Sequence, residues 1–329
     1  MPLPFLPLGT LPLSEKRNRT ARGGREAEAG KEHNLQIQWY PGHMTKTRRM
    51  IAEQLKYVDL VAEIVDARIP LSSRNPDIDS LVGEKPRLVL LNRADQADPE
   101  GTRRWRAWFA ARGIAVLETD ARSGKGVGQF AGAVRAALRE KIEQWRAKGQ
   151  VGRPIRIMIV GIPNVGKSTF INKVAGRKSA KAGDRPGVTR GKQWVSVEAG
   201  LELLDTPGIL WPKFEDPDTG LHLAFTGAVK DEIMDIETLA CHFLELMAGR
   251  YPQALTERYK VDIPPRPADL APGDLSYGYD LLERCARKRG FLISGGEPDT
   301  GRMARILLDE YRSGKLGRFT LELPEGEGA

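Results

Sequence analysis

Short apolar runs alternate with amphipathic stretches over the first two thirds of the chain. Four runs have the mostly apolar character of buried strands, at residues 59–67, 86–92, 114–119 and 155–161. Elsewhere the apolar positions recur every three or four residues, which predicts helices over 45–58, 101–113, 128–148 and 169–176. Strands that alternate with helices predict an α/β fold with a mostly parallel sheet flanked by helices.

The pattern changes towards the C-terminus. Residues 191–206 are typical of a hairpin of two strands, and 211–220 form a turn-rich connector. Beyond the connector only helical periods remain, at residues 231–247, 275–290 and 300–317. We therefore expect three regions: a disordered extension over 1–34, an α/β domain over 35–215 and an all-α domain over 216–329.

Composition narrows the class of protein. The net charge is +8, because 51 Lys and Arg outnumber 43 Asp and Glu, and this favours a polyanionic partner. No apolar run approaches the ~20 residues that a membrane span needs, and prolines interrupt the apolar N-terminus, so we expect no membrane association. Acidic residues disfavour a mitochondrial presequence, and the two distant cysteines are typical of a reducing compartment, so we expect a cytoplasmic protein.

The segment GIPNVGKS at 161–168 fits the pattern G-x-x-x-x-G-K-[ST] and lies between an apolar strand and a helix. In that setting the backbone N–H groups and the helix N-terminus bind phosphates. Lys167 would reach the β- and γ-phosphates, and the Ser168 hydroxyl would bind Mg²⁺. The residues expected to contact the nucleotide here are Pro163, Asn164, Val165, Gly166, Lys167, Ser168 and Thr169.

Two further segments carry groups that a bound triphosphate needs. The segment DTPG at 205–208 ends an apolar strand, so Asp205 can support Mg²⁺ and the Gly208 N–H can contact the γ-phosphate. Thr189 lies in a loop between the P-loop and DTPG, and it is the candidate second hydroxyl ligand of Mg²⁺. Taken alone, DTPG is a common turn and Thr189 an ordinary loop residue, but their positions after the P-loop favour the functional interpretation.

The segment NRAD at 92–95, after the second strand, is the candidate for base selection. A carboxylate at Asp95, with Asn92 and Arg93 in the same motif, can accept both the N1–H and the 2-amino group of guanine, which adenine cannot offer. Thr119 and Ala121, after the third strand, are candidates for a backbone contact with the guanine oxygen. Taken by itself, NRAD is better interpreted as an Asx turn. An ATPase is a further alternative.

These segments resemble the motifs of translation-factor-class GTPases, but in a rotated order. NRAD and the segment at 119–121 precede the P-loop, whereas Thr189 and DTPG follow it; the ordinary order begins with the P-loop. The rotated order is typical of circularly permuted GTPases. With WYPGHM at 39–44 and an all-α tail, residues 35–320 resemble the ribosome biogenesis GTPase A (YlqF) family.

The resemblance implies a P-loop GTPase fold, GTP or GDP as the bound nucleotide and Mg²⁺ as the cofactor. It also implies a partner, the large (50S) ribosomal subunit precursor with its rRNA, and a late step of its assembly. Arg93 stands where the family usually has Lys, and we expect guanine preference to survive with altered affinity. The alternative is an RNA-binding scaffold that uses GTP only as an affinity switch, with negligible turnover.

The resemblance also assigns residues to hydrolysis. Ile209, which follows DTPG, cannot orient water as a glutamine would. The family resemblance assigns this role to His43 and gives Lys167 and Gly208 as the other catalytic residues. The alternative is that WYPGHM is a structural turn or an RNA contact. Asn164 resembles the asparagine that helps hold K⁺ in potassium-activated relatives.

Basic residues form two clusters. They are Lys46, Arg48 and Arg49 near His43, and Arg284, Arg287, Lys288, Arg289, Arg302, Arg305, Arg312, Lys315 and Arg318 in the tail. Charge runs are most often solvated faces, and no RNA-binding signature motif is present. With the family resemblance, we expect these clusters to bind rRNA mainly through its phosphates.

Overall fold

The computed structural model describes residues 44–176, 194–197, 200–206, 208, 216–229 and 235–324. The predicted extension over 1–34, His43 and Thr189 lie outside the described residues. All described residues belong to one compact unit. The boundary at residue 215 therefore remains a prediction.

Six strands form one sheet in the order β3-β2-β1-β4-β6-β5. They are β1 (Leu60–Asp66), β2 (Arg87–Asn92), β3 (Ala115–Thr119), β4 (Ile155–Val160), β5 (Trp194–Val197) and β6 (Leu201–Asp205). All neighbouring pairs are parallel except β5 and β6, which form the predicted antiparallel hairpin. The mostly parallel sheet is confirmed.

Helices cover both faces of this sheet. They are α1 (Met44–Leu55), α2 (Ile78–Val82), α3 (Pro99–Ala110), α4 (Phe130–Ala137), α5 (Arg139–Ala147) and α6 (Lys167–Ala175). The single helix expected over 128–148 is wrong, because the backbone leaves the helical region at Leu138 and separates α4 from α5. Leu138 is itself buried in the core.

The C-terminal region is helical, as predicted. Its helices are α7 (Pro217–Phe225), α8 (Ile236–Arg250), α9 (Pro252–Tyr259), α10 (Ser276–Lys288) and α11 (Thr300–Arg312). The connector predicted over 211–220 already contains the start of α7. Asp216 caps that helix and Pro217 takes its first position, a start signal that the sequence does carry.

Alternate residues of β1 face opposite sides of the sheet. Leu60, Ala62 and Ile64 join a large core that continues through α4 into α8, α10 and α11. Val61 packs with α1 on the other face, and Val65 packs with α3. The tail helices therefore share their core with the sheet, which fixes them next to the strand ends. No helix in the described ranges is long and apolar enough to span a membrane.

A buried ion pair also joins the sheet to α11. Arg68 is fully buried and donates from Nε and Nη2 to Asp66 at 2.9 and 2.7 Å. Its guanidinium lies 5.0 Å from the centre of the Tyr311 ring. Burial opposes ionisation of Asp66, but the adjacent Arg68 outweighs it and holds the pKa of that carboxyl below its usual range.

We expect Arg68→Ala to lower the free energy of unfolding by about 3 kcal/mol or more, because it leaves the Asp66 carboxylate buried without its cation. Urea denaturation measures this. Arg139→Ala, which removes an exposed pair on α5, should change stability by less than about 0.5 kcal/mol. A loss below about 1 kcal/mol for Arg68→Ala would contradict the role given to this pair.

Candidate nucleotide site

The carboxyl ends of the parallel strands meet at one edge of the sheet. There Asp66 is in register with Asn92, and Asn92 with Thr119. On the other side of β1, β4 leads into the P-loop and pairs with β6, which ends at Asp205. The motifs that are rotated in sequence are therefore neighbours in space, at the place where open α/β sheets bind ligands.

Two glycines let the P-loop (residues 161–168) close against its neighbours. Gly161 has φ +153°, and a Cβ there would lie 2.5 Å from the carbonyl oxygen of Ile64. Gly166 has φ +101°, and a Cβ there would lie 2.4 Å from Nδ2 of Asn92. Both the backbone conformation and the close contacts require glycine.

Lys167 begins α6, so it stands at the helix N-terminus that favours anions. Its side chain is buried, and Nζ donates to the Ile162 carbonyl at 2.7 Å. Burial lowers the pKa of Lys167 to about 8, although the Asp205 charge opposes that shift. Ser168 and Thr169 are exposed in the first turn of α6. An arriving phosphate therefore meets a cation, backbone N–H groups and hydroxyls together.

Asp205 fits a magnesium ion. Its Oδ1 is buried and has no hydrogen-bond partner among the described residues. Burial raises the pKa of Asp205, and Lys167 opposes the shift. A buried carboxylate oxygen without a donor is the kind of group that a hard divalent cation satisfies. The described part of the chain has no cluster of three His, Cys, Asp or Glu that could hold a metal by itself.

The DTPG turn lies directly against the P-loop. The Thr206 hydroxyl donates to the Ile159 carbonyl at 2.6 Å. A Cβ on Gly208 would lie 2.8 Å from both Nζ of Lys167 and the backbone nitrogen of Pro163. Gly208 is therefore close enough to share a phosphate with the P-loop, as its place in the sequence suggests.

Asn92 connects three segments of the site. Its side chain is 3% exposed, and Nδ2 donates to the Val165 carbonyl at 2.7 Å. Its Oδ1 accepts from the Ala121 N–H at 3.0 Å and from the Thr119 hydroxyl at 3.3 Å. Asn92 thus holds the P-loop and the 119–121 segment together. We infer a positioning role for it in place of direct base contact.

The same hydrogen bonds change the expectation for Thr119 and Ala121. The Ala121 N–H, expected to meet the guanine oxygen, donates to Asn92 and is not free in this structure. The next two amides, of Arg122 and Ser123, both donate to the carboxylate of Asp120. The segment is built as a tight turn around Asp120, and its backbone donors are used within the protein.

Arg93 lies against the P-loop. It has φ +59°, unusual for a residue with a side chain, and its Nη2 donates to the Asn164 carbonyl at 3.1 Å. Its Nε is 3.7 Å from Asp66. Burial lowers the pKa of Arg93, and the charge of Asp66 opposes that shift. Arg93 therefore links the guanine loop, defined here as residues 92–97, to the P-loop.

Asp95, the candidate base-selecting residue, is exposed at the centre of the guanine loop. Partial burial and the nearby Asp120 charge raise the pKa of Asp95, whereas Arg68 and Arg318 oppose the shift. Its carboxylate is accessible to a ligand, unlike that of the buried Asp66. This exposure agrees with a carboxylate that accepts hydrogen bonds from a bound base.

Asn164 faces the helical region. It is exposed with φ +63°, and its Nδ2 donates to the Gly227 carbonyl just after α7 at 3.3 Å. Its side-chain oxygen is therefore the atom left for a cation such as K⁺. This contact joins the P-loop to the tail helices.

The basic tail cluster is largely paired within the protein. Arg284 pairs with Asp280 at 2.7 Å, and Arg289 with Glu310 at 3.3 Å. Arg287, Arg312 and Arg318 also have carboxylate or carbonyl partners. Lys288, Arg302, Arg305 and Lys315 remain the stronger candidates for RNA contact. In the first cluster, the side chains of Lys46 and Arg48 lie outside the described residues, and Arg49 is exposed.

Sequence reasoning missed Asp66 and Arg68 as parts of the site. Asp66 is the last residue of a mostly apolar strand, the same position that marked Asn92 and Asp205. That position is a usable signal, because the strand ends meet at the ligand edge. Its partner Arg68 carries no such signal.

Comparison with known proteins agrees with this geometry. The family described as "50S ribosome-binding GTPase" matches residues 156–252. A protein named ribosome biogenesis GTPase A from Bacillus cereus is 48% identical over 292 residues, which cover 89% of this chain and 95% of that relative.

Solved structures give the same assignment. A GDP-bound YlqF aligns with TM-score 0.59 and 29% identity over 84% of this chain and 100% of that chain. A GNP-bound YlqF from T. maritima aligns with TM-score 0.55 and 28% identity over 85% of this chain and 99% of that chain. Similarity of sequence and fold along most of both chains shows that this protein is a GTPase of the ribosome biogenesis GTPase A (YlqF) family.

Proposed function

We propose that this GTPase acts late in assembly of the large ribosomal subunit. In its GTP form it binds the 50S precursor through rRNA, assists a maturation step, hydrolyses GTP and leaves. This work takes place in the cytoplasm. The observation that carries the proposal is that Asn92 of the guanine loop bonds both to the P-loop and to the 119–121 segment, in a family named for ribosome biogenesis.

Each part of the site has an assigned role in this proposal. Lys167 and the P-loop backbone hold the phosphates, with Pro163, Val165 and Thr169 in the contact shell. Ser168 and Thr189 bind Mg²⁺ and Asp205 supports it. When bound, that ion neutralises phosphate charge.

The remaining groups select the base and support GTP hydrolysis. Asp95 selects guanine, and Asn92, Arg93, Thr119 and Ala121 hold the elements around it. Lys167 and the Gly208 N–H stabilise charge on the γ-phosphate. His43 positions the attacking water when the ribosomal particle is bound. The Asn164 side-chain oxygen helps to hold K⁺, which adds positive charge near the β–γ bridge.

The runner-up function, an RNA-binding scaffold with negligible turnover, differs in what the nucleotide does. Both functions need GTP-dependent binding to the particle. Only the first needs a hydrolytic rate that rises when the particle is bound. Hydrolysis measured with and without large subunits therefore separates them.

We expect Asp95→Asn to lower GDP affinity by about two orders of magnitude, because the amide cannot accept two hydrogen bonds from the base as a carboxylate does. Affinity for xanthosine diphosphate should rise, since its 2-oxo group can accept from the new amide. Fluorescent-nucleotide titration measures both, with ATP as competitor. Asp280→Asn, in an exposed pair on α10, is the matched control. Equal affinity for GDP in the wild type and Asp95→Asn would contradict the assignment.

The raised pKa of Asp95 gives a pH dependence. Guanine binding needs the ionised carboxylate, so GDP affinity should fall with decreasing pH at a higher midpoint than an ordinary Asp would give. Asp120→Asn removes the neighbouring charge but keeps the Oδ1 acceptor of the turn, and it should move that midpoint to lower pH. GDP titrations from pH 4 to pH 7 measure both midpoints. A midpoint that Asp120→Asn leaves unchanged would disprove this coupling.

GTP hydrolysis should be slow alone and rise at least about tenfold with large ribosomal subunits, and more in potassium than in sodium. Asn164→Ala should remove the difference between the two cations, because it removes the side-chain oxygen. Asn172→Ala, at an exposed position on α6, is the matched control. Phosphate release in the four conditions provides the measurement. Equal rates with and without subunits would favour the scaffold instead.

A further inference from the structure

The C-terminal strap, residues 317–322, follows α11 without regular secondary structure, and its central residues are buried whereas Arg318 is exposed. Thr320 and Leu321 are fully buried. The Thr320 carbonyl accepts from the Tyr251 hydroxyl at 3.0 Å, and the Glu322 carbonyl accepts from Nε1 of Trp105 at 2.9 Å. The strap thus lies between the tail helices and α3, close to the end of β2.

The strap donates three hydrogen bonds to backbone carbonyls of the guanine loop. Arg318 donates from Nη2 to the Ala94 carbonyl at 3.0 Å and from Nε to the Ala97 carbonyl at 2.9 Å. The Phe319 N–H donates to the Gln96 carbonyl at 2.9 Å. These carbonyls lie on both sides of Asp95. The planar guanidinium therefore joins the two ends of the short segment that carries the base-selecting carboxylate.

The strap is itself firmly anchored. The Leu321 N–H donates to the Arg68 carbonyl at 2.8 Å, and the Glu322 carboxylate accepts from the Ser72 N–H at 2.8 Å. His222 on α7 lies 3.3 Å from the same carboxylate. A Cβ on Gly101 would lie 2.8 Å from Thr320, so α3 and the strap are in close contact. A support fixed to α3, α7 and the end of β1 can hold the guanine loop in place.

The contacts of Arg318 also change its expected role. Its place in the basic tail suggests an RNA phosphate contact, but Arg318, although exposed, uses two of its donor atoms on carbonyls of the guanine loop. Phe319 beside it is buried and packs 4.9 Å from the Tyr251 ring, measured between ring centres. Arg318 is therefore built into the fold on the side of the guanine loop.

We propose that Arg318 is a positioning residue for guanine recognition, acting through the guanine loop carbonyls to place the Asp95 carboxylate against the base. The inference rests on the proposed role of Asp95. Charge-assisted hydrogen bonds to both ends of the loop reduce the conformations that Asp95 samples before binding. The last residues of the helical tail thereby take part in choosing the nucleotide.

The test compares GDP with inosine diphosphate, which lacks the 2-amino group that Asp95 reads. We expect Arg318→Ala in the full chain to weaken GDP about tenfold and inosine diphosphate about twofold, so that the preference for GDP contracts about fivefold. Arg318→Lys keeps the charge but has a single donor nitrogen, and its preference for GDP should be intermediate. Arg139→Ala on α5 should retain the wild-type preference. Titration of both nucleotides, with thermal unfolding of each variant, supplies the data.

Two outcomes would overturn the proposal. One is an unchanged preference for GDP in Arg318→Ala. The other is an equal loss for both nucleotides, which would reduce Arg318 to a support of the fold. If Arg318→Ala does not fold, Arg318→Lys is used instead. A wild-type ratio of GDP to inosine diphosphate affinity in Arg318→Lys would then overturn the role of the contact with two carbonyls. A wild type that binds GDP and inosine diphosphate equally would instead disprove the role of Asp95.

Discussion

The site depends on the buried amide of Asn92. Its two polar atoms bond to the P-loop, to the turn after β3 and to the Thr119 hydroxyl, at distances between 2.7 and 3.3 Å. Buried polar groups are costly unless they are paired, so this amide stabilises the structure only when all three segments are in place. Gly166 is required next to it because no side chain fits there. The contact therefore fixes the distance between the base end and the phosphate end of the pocket.

The helical tail is an integral part of this arrangement. It shares a core with the sheet, and Arg68 is held between Asp66 and Tyr311 of α11. The Asn164 side chain donates to the Gly227 carbonyl, just after α7, and Arg318 donates to the Ala97 carbonyl of the guanine loop. Both ends of the nucleotide site thus contact the region proposed to bind rRNA. A change in the bound phosphates and binding of the ribosomal particle can therefore affect one another through these direct contacts.

Much of the fold was predictable because it follows from periodicity. The mostly apolar runs form β1 to β4, and the rotated order of motifs indicates the permuted GTPase fold. The break at Leu138 was not predictable, since both halves of 128–148 keep one helical period. The strap was missed because it has no period and its hydrogen bonds join a side chain to distant carbonyls. For the same reason Arg318 looked like an RNA contact, and Ala121 seemed to have a free amide.

The most direct measurement is a crystal structure of this protein with GDP and Mg²⁺. We expect one nucleotide that extends from the guanine loop to the P-loop. Asp95 should accept hydrogen bonds from guanine N1 and the 2-amino group, and Lys167 should contact the β-phosphate. A guanine base placed away from Asp95, while the phosphates occupy the P-loop, would contradict this expectation.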